Sequence, residues 1–183
     1  MEILRLKRED TIASAIDFQE KLLPAMSEPE RVEKNAVKLL KGLKELGIPV
    51  VVTQQYTKGI GETTEAVREA IGEFDHIEKT TFSAYKTEEY RKAIEGSGRK
   101  TVIMMGVETH ICVEQTALDL LENGYKVFLA ADCVGSRDSF NRDNSIRRME
   151  QAGAVITNYE SILYELMEDS KAPEFKAISK IVK

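Results

Sequence analysis

The sequence predicts an α/β fold in which parallel strands and helices alternate. Short apolar runs recur along the chain, and segments with apolar residues at helical spacing separate them. Such alternation specifies a parallel sheet with helices on both faces and right-handed crossovers. The run 102–105 has no polar alternation, as expected of a strand that is covered on both faces. We therefore predict a three-layer αβα architecture, doubly wound, with a mainly parallel six-stranded sheet in the order 3-2-1-4-5-6.

The first half of the chain is predicted to contain three strands and three helices. The strands are residues 11–16, 48–53 and a weaker segment at 76–79. The helices are residues 30–46, 64–71 and 87–94. Gly47 and Pro49 end the first helix, and a polar loop is expected over residues 54–62.

The second half repeats the pattern. The predicted strands are residues 102–105, which Gly106 ends, 125–131, which Asp132 follows, and 154–157. The predicted helices begin at Cys112, at Asp143 and after Asn158, which caps the last one. The tail from Pro173 is expected to dock on the surface or on a neighbouring subunit.

Composition limits the classes of function. A chain of 183 residues predicts one domain, residues 1–183, with a full hydrophobic core. The net charge of −5 is interspersed, which indicates no nucleic-acid surface. There is no apolar run of membrane length, and the first ten residues are too charged for a secretory signal. Two cysteines are too few for a disulfide framework, so a cytoplasmic location is predicted.

Cys112 is the residue around which a reaction can be built. At a helix N-terminus, unpaired N–H groups and the helix dipole favour the thiolate, which is the nucleophile. The alternative is a small buried cysteine that only packs. In the predicted strand order the sheet reverses between strands 1 and 4, where ligands bind. Asp17 ends strand 1 and Cys112 follows strand 4, so an acid and a thiol are expected side by side.

A cysteine nucleophile needs a base or a cation nearby. Asp17 can accept the thiol proton, and Lys79 can stabilise the thiolate, although a solvated lysine at a strand end is the alternative. Asp132 is a rival acid, because it also follows a strand. His110 can line the pocket or be a surface turn residue.

Three segments in this order resemble one family. They are I-D-F-Q with Asp17, E-K-T-T-F-S-A-Y with Lys79, and G-V-E-T-H-I-C with Cys112. Together they are similar to the isochorismatase-like cysteine hydrolases, a superfamily that includes nicotinamidases and N-carbamoylsarcosine amidohydrolase. The likeness extends over nearly the whole chain, through residues 52–61, 117–121 and 132–137, and is closest to the isochorismatase domain-containing subgroup.

The resemblance implies an Asp17–Lys79–Cys112 triad with Asp17 as base, Lys79 as charge stabiliser and Cys112 as nucleophile. It also implies a cis peptide bond between Val107 and Glu108, with the amides of Glu108 and Cys112 forming an oxyanion hole. A homo-oligomer is a further implication.

Two departures from family patterns narrow the substrate. Metal-dependent nicotinamidases carry an Asp and two His ligands after strand 2, where this chain has Gln54, Gln55, Tyr56 and Thr57. Amides are poor zinc ligands, so we expect no metal and no other cofactor. True isochorismatases typically lack the cysteine, so Cys112 argues against isochorismate.

Other side chains near strand ends are candidates for contact with a small-molecule substrate, and Phe18 is the preferred pocket wall. These candidates are Phe18, Gln19, Tyr56, Phe82, Tyr85 and His110.

The favoured hypothesis is a metal-independent hydrolase of a small amide-type C–N bond that acts through a thioester acyl-enzyme. The alternatives are a non-catalytic or assembly module of the same fold, an isochorismatase-type hydrolase of another small carboxylate, and a redox protein that uses Cys112 and Cys133. No C-x-x-C motif supports the last of these.

Overall fold

The structure, a computed structural model, describes residues 3–183. A six-stranded sheet in the order β3-β2-β1-β4-β5-β6 forms its centre. The strands are β1 Thr11–Ile16, β2 Val50–Gln55, β3 His76–Lys79, β4 Thr101–Val107, β5 Lys126–Gly135 and β6 Val155–Thr157. All neighbouring strands pair in parallel, so the predicted fold class and strand order are confirmed.

Helices cover both faces of this sheet. They are α1 Pro29–Glu45, α2 Thr57–Ile60, α3 Glu65–Ile71, α4 Glu88–Gly96, α5 Glu114–Glu122, α6 Ser139–Gln151, α7 Tyr159–Met167 and α8 Phe175–Val182. One apolar core, which we call the α1 face, packs α1, α3, α7 and α8 against the sheet. The other, the α5 face, packs α4, α5 and α6. Successive residues of β4 alternate between the two cores, since strand side chains alternate in direction.

Two strands are longer than predicted. β4 continues through Gly106 to Val107, because Gly106 pairs with Ile16 on one side and with Val134 on the other. β5 continues past Asp132 to Gly135, and its register against β4 shifts in this region. Asp132 therefore lies inside an irregular part of β5 and not at its end. The prediction that Gly106 breaks β4 was wrong, because this glycine fits close against a neighbouring strand.

The segment after β4 also differs from the expectation. Residues Thr109–Val113 form one π-helical turn, and the α-helix α5 begins at Glu114. Cys112 is therefore inside a wide turn and not at the first position of an α-helix. Such turns are rare, and many of them occur at functional sites.

The C-terminal segment docks on the body of the fold. α8 packs beside α1, and the Lys38 Nζ donates to the Val182 carbonyl at 2.8 Å. Within residues 3–183, no helix is both long and apolar enough to cross a membrane.

A substitution at Gly106 tests how closely β1 and β4 approach each other. A Cβ there would lie 2.2 Å from the Ile16 carbonyl oxygen, and its φ of +141° disfavours side chains. We expect Gly106→Ala to reduce the free energy of unfolding by about 2 kcal/mol or more, through overpacking and backbone strain. Urea denaturation measures this change.

Gly96→Ala is the matched control, because a Cβ there meets nothing within 4 Å and Gly96 is in helix α4. It should leave stability unchanged or raise it. Equal stability of the two variants would contradict the proposed close contact.

Candidate active site

A buried ion pair joins two of the predicted site residues. Asp17 directly follows β1, and Lys79 is the last residue of β3, so both lie at the carboxyl edge of the sheet. The Lys79 Nζ is 2.7 Å from the Asp17 Oδ2, and both side chains are 0% exposed. The predicted acid and cation are therefore in direct contact, away from solvent.

Strand β2, which lies between β1 and β3, holds Asp17 in place. The Thr53 Oγ1 donates to the Asp17 Oδ1 at 2.7 Å, and the Asp17 amide donates to the Thr53 carbonyl at 3.2 Å. Asp17 has a φ of +52°, a conformation that aspartate tolerates better than most residues. Both carboxylate oxygens thus have a fixed partner, and the side chain has one orientation.

Lys79 is surrounded by oxygen atoms. Besides Asp17, its Nζ donates to the Gln55 Oε1 at 2.5 Å and contacts the carbonyls of Thr81 and Phe82 at 3.3 Å each. Only the Asp17 oxygen carries a charge. The ammonium is therefore neutralised by one carboxylate and solvated by neutral protein groups in place of water.

Cys112 lies beside this pair. It is 5% exposed, and burial raises the pKa of its thiol to about 12. Interactions with the Asp17 carboxylate raise this pKa further, and interactions with the Lys79 ammonium lower it. We expected a depressed pKa from the helix N-terminus, and that expectation was wrong because desolvation is the largest effect. At neutral pH the resting residue is a thiol.

The turn before Cys112 is tied to the end of β5. The Val107–Glu108 peptide bond is cis, the form that the resemblance implies. The Glu108 carboxylate accepts from the Arg137 backbone amide at 3.1 Å and from its Nε at 3.0 Å. His110 pairs through Nδ1 with the Ser136 Oγ at 2.9 Å. The direction of the Glu108 and Cys112 amides stays a prediction.

Three residues predicted to contact substrate have other roles. Gln19 is fully buried, and its side-chain amide donates to the carbonyls of Gln55 and Gly61, so it joins the end of β2 to the loop that contains Gly61. Phe18 is 1% exposed and packs into the core of the α1 face, whereas Cys112 lies on the α5 face. Tyr85 stacks edge-on against Tyr125, at the amino end of β5.

Three other candidates remain at the rim. Tyr56 and Phe82 are among the few exposed large apolar side chains of residues 3–183, and the backbone of each is hydrogen-bonded to Lys79. His110 is half-buried, two residues before Cys112 in the same π-helical turn. Contact of these three side chains with a substrate stays a prediction.

The rival acid and the second thiol do not join the site. The Asp132 Oδ1 accepts from the Tyr159 amide at 3.0 Å, and burial raises the pKa of this carboxyl. Asp132 instead lines a separate cavity of about 430 Å³ with Glu28 and Arg142. Cys133 is fully buried in the α1 face and Cys112 in the α5 face, and both are free thiols. This separation argues against a redox pair.

The residues at the end of β2 are held by hydrogen bonds to other protein groups. The Gln54 Nε2 donates to the Glu62 Oε2 and the Thr63 Oγ1 at 3.0 and 2.9 Å. Within residues 3–183, no group of three or more His, Cys, Asp or Glu side chains is arranged to hold a metal ion.

Two site residues, Thr53 and Gln55, were not recognised in the sequence. Both belong to the polar C-terminal half of β2. Thr53 pairs with Ile16, the residue before Asp17, and Gln55 pairs with Lys79. The predicted strand order placed β2 between β1 and β3, but the register that brings these side chains together was not predicted.

Comparison with known proteins decides the family. The isochorismatase domain model matches residues 14–161. This chain belongs to the isochorismatase family. Isochorismatase domain-containing protein 1 of Salmo salar is 38% identical over 173 residues, which cover 94% of this chain and 61% of the relative. The chain thus spans about three fifths of that relative's length.

Two similar solved structures share the fold over nearly the whole chain. A Caenorhabditis elegans protein described as MAR1 ribonuclease has a TM-score of 0.91 at 32% identity, with 98% of this chain and 92% of that one covered. The Escherichia coli YcaC gene product, described as an octameric hydrolase of unknown specificity, has a TM-score of 0.93 at 25% identity, with 99% and 90% covered.

The charges around the thiol make a testable prediction. With a pKa of about 12, Cys112 should react with iodoacetamide at pH 8 at least roughly a thousandfold more slowly than a free thiol. Asp17→Asn should accelerate the reaction about tenfold, because it removes a competing anion, and Lys79→Met should slow it further. Mass spectrometry of the Cys112 peptide from pH 7 to 10 measures these rates. Alkylation of the unaltered protein as fast as that of glutathione would contradict the raised pKa.

Proposed function

We propose that this isochorismatase-family protein hydrolyses a small amide-type C–N bond with Cys112 as nucleophile. The observation that carries the proposal is a buried thiol beside a buried carboxylate–ammonium pair, whose two charges act on the pKa of the thiol in opposite directions. A thiol, a base and a fixed cation are the groups needed for acyl transfer through a thioester.

The high pKa of the thiol fits a proton transfer within the site. At rest Cys112 is neutral, and the charges of Asp17 and Lys79 cancel. Moving the thiol proton to Asp17 leaves the sum of charges at zero, because the new thiolate is balanced by Lys79. The site therefore creates its nucleophile without adding a net charge to a buried environment. Burying such a net charge would be costly.

In the first half-reaction the Cys112 sulfur attacks the amide carbonyl carbon as Asp17 takes the thiol proton. The carbonyl oxygen becomes an oxyanion, which the amides of Glu108 and Cys112 are proposed to bind. The C–N bond then breaks, the leaving nitrogen takes the proton from Asp17, and a thioester remains. In the second half-reaction Asp17 takes a proton from a water molecule as the water oxygen attacks the thioester carbon. The C–S bond then breaks, the leaving sulfur takes the proton back from Asp17, and the carboxylic acid product leaves with the Cys112 thiol and the Asp17 carboxylate restored.

Arg137 favours a substrate that carries an anionic group. Glu108, which is 6% exposed, engages its Nε, while 63% of the Arg137 side chain is exposed. Within residues 3–183 its two terminal nitrogens have no partner, so a planar fork of donors is available beside the turn that contains Cys112. Such a fork matches the geometry of a carboxylate.

A homo-oligomer is the proposed assembly, because the structurally similar YcaC is an octamer. A ribonuclease activity, as described for the C. elegans relative, is not favoured for this chain. The charges of this chain are interspersed and sum to −5, whereas binding of nucleic acid depends on a basic surface.

Ammonia or amine release from a panel of small amides tests the nucleophile. We expect Cys112→Ala to reduce turnover by 10⁴-fold or more, on the order of the loss seen when a catalytic nucleophile is removed. Mass spectrometry of the protein during turnover should show an acyl adduct on Cys112.

Unchanged activity of Cys112→Ala would contradict the thioester mechanism. Hydrolysis of isochorismate-type vinyl ethers without an adduct would instead favour the isochorismatase-type alternative. No turnover over the whole panel would favour a non-catalytic module.

Arg137 is tested by comparing two substrates. Arg137→Ala should raise KM for a carboxylate-bearing amide roughly 10- to 100-fold and leave an uncharged amide of the same size nearly unaffected, because the lost contact is with the anion. Arg137→Lys keeps the charge but not the fork, so its KM for the carboxylate-bearing amide should lie between those of the unaltered protein and Arg137→Ala. The same loss on both substrates would assign Arg137 a purely structural role in holding Glu108.

A further inference from the structure

We propose that Gln55 is a positioning residue that holds the Lys79 ammonium where its charge acts on the Cys112 sulfur. Its relevance to catalysis rests on the proposed function, but the contact itself does not. Gln55 and Lys79 are register partners on adjacent parallel strands, so their side chains point to the same face. The Gln55 Oε1 lies 2.5 Å from the Lys79 Nζ.

The orientation of the Gln55 amide is determined by its neighbours. An ammonium only donates hydrogen bonds, so the carbonyl oxygen of the amide must face Lys79. The Nε2 on the other side donates to the Thr80 carbonyl at 2.9 Å. Gln55 thereby joins Lys79 to the loop whose next two residues, Thr81 and Phe82, also contact the ammonium.

The main chain of Gln55 is fixed as well. Its amide donates to the Gln19 Oε1 at 2.7 Å, and its carbonyl accepts from the Gln19 Nε2 at 3.0 Å. Because Gln19 is fully buried, this exchange anchors the end of β2 from inside the fold. The buried Gln19 thus supports the site indirectly, through Gln55.

Among residues 3–183, Gln55 supplies the one close neutral acceptor of Lys79. The carbonyls of Thr81 and Phe82 are both at 3.3 Å, whereas the Asp17 and Gln55 oxygens are at 2.7 and 2.5 Å. Without the Gln55 oxygen, the Asp17 carboxylate is the only close acceptor left in this part of the chain. The ammonium then moves toward Asp17, and the thiolate form of Cys112 loses part of its stabilisation, since Coulomb energy falls with distance.

A double-mutant cycle tests this coupling. The rate of Cys112 alkylation by iodoacetamide is measured from pH 7 to 10 for Gln55→Met and Lys79→Met, singly and combined. We expect Gln55→Met to slow alkylation about three- to tenfold at a given pH, equivalent to a shift of roughly half to one pKa unit. In the Lys79→Met background the same substitution should have no effect, because Gln55 acts through the lysine.

Gln54→Met is the matched control. Gln54 precedes Gln55 in β2, so its side chain points to the opposite face, where it bonds Glu62 and Thr63. This variant should leave the alkylation profile unchanged. Equal slowing by Gln54→Met, equal slowing in the Lys79→Met background, or an unchanged rate for Gln55→Met would overturn the proposal.

Loss of the fold cannot imitate the expected result. An unfolded chain exposes an ordinary thiol with a pKa of about 8.5, which is alkylated faster and not more slowly. If Gln55→Met shows that behaviour, Gln55→Glu decides instead. It keeps the acceptor for Lys79 but adds a negative charge, so it should slow alkylation more than tenfold, and an unchanged rate would refute the contact. The measurement needs no substrate, so absence of amide hydrolysis would reject the proposed function and leave the Gln55–Lys79 coupling intact.

Discussion

The buried ion pair between Asp17 and Lys79 is the interaction on which the site depends. Removing one partner of such a pair costs about 3–5 kcal/mol, because the other charge is left without compensation. Three adjacent strands meet at this pair: β1 delivers Asp17, β2 delivers Thr53 and Gln55, and β3 ends at Lys79. The parallel sheet is therefore the scaffold of the site, since its strand ends place these residues at one edge.

Under the proposed mechanism, the same pair explains how a deeply buried thiol can be inert at rest and reactive toward a bound substrate. Burial holds the pKa of Cys112 at about 12, which protects it from adventitious electrophiles at neutral pH. In the proposed mechanism, a substrate whose carbonyl carbon lies against the sulfur allows the proton to move to Asp17 as the bond forms. Reactivity in that mechanism depends on the geometry of the bound substrate, and not on a standing population of thiolate.

The sequence was sufficient for the architecture, because apolar periodicity and strand alternation depend on local patterns. It was less reliable where a residue's role depends on its neighbours in space. Gly106 looked like a strand breaker, yet it pairs on both sides in β4. Phe18 and Gln19 directly follow the predicted base Asp17, but both side chains are buried in the fold. Desolvation of Cys112 likewise outweighs the effect of its turn on the thiol pKa.

The chemistry of the two glutamines at the end of β2 fits this arrangement. The amides of Gln54 and Gln55 are unsuited to binding zinc. The alternation of side-chain direction along β2 places them on opposite faces of the sheet, where they have different partners. An amide at position 55 gives Lys79 an acceptor and adds no charge. A carboxylate there would place a second anion near Cys112 and further oppose the thiolate. A site whose two fixed charges already cancel thus favours a neutral acceptor, and this requirement accounts for glutamine at the place where the lysine needs support.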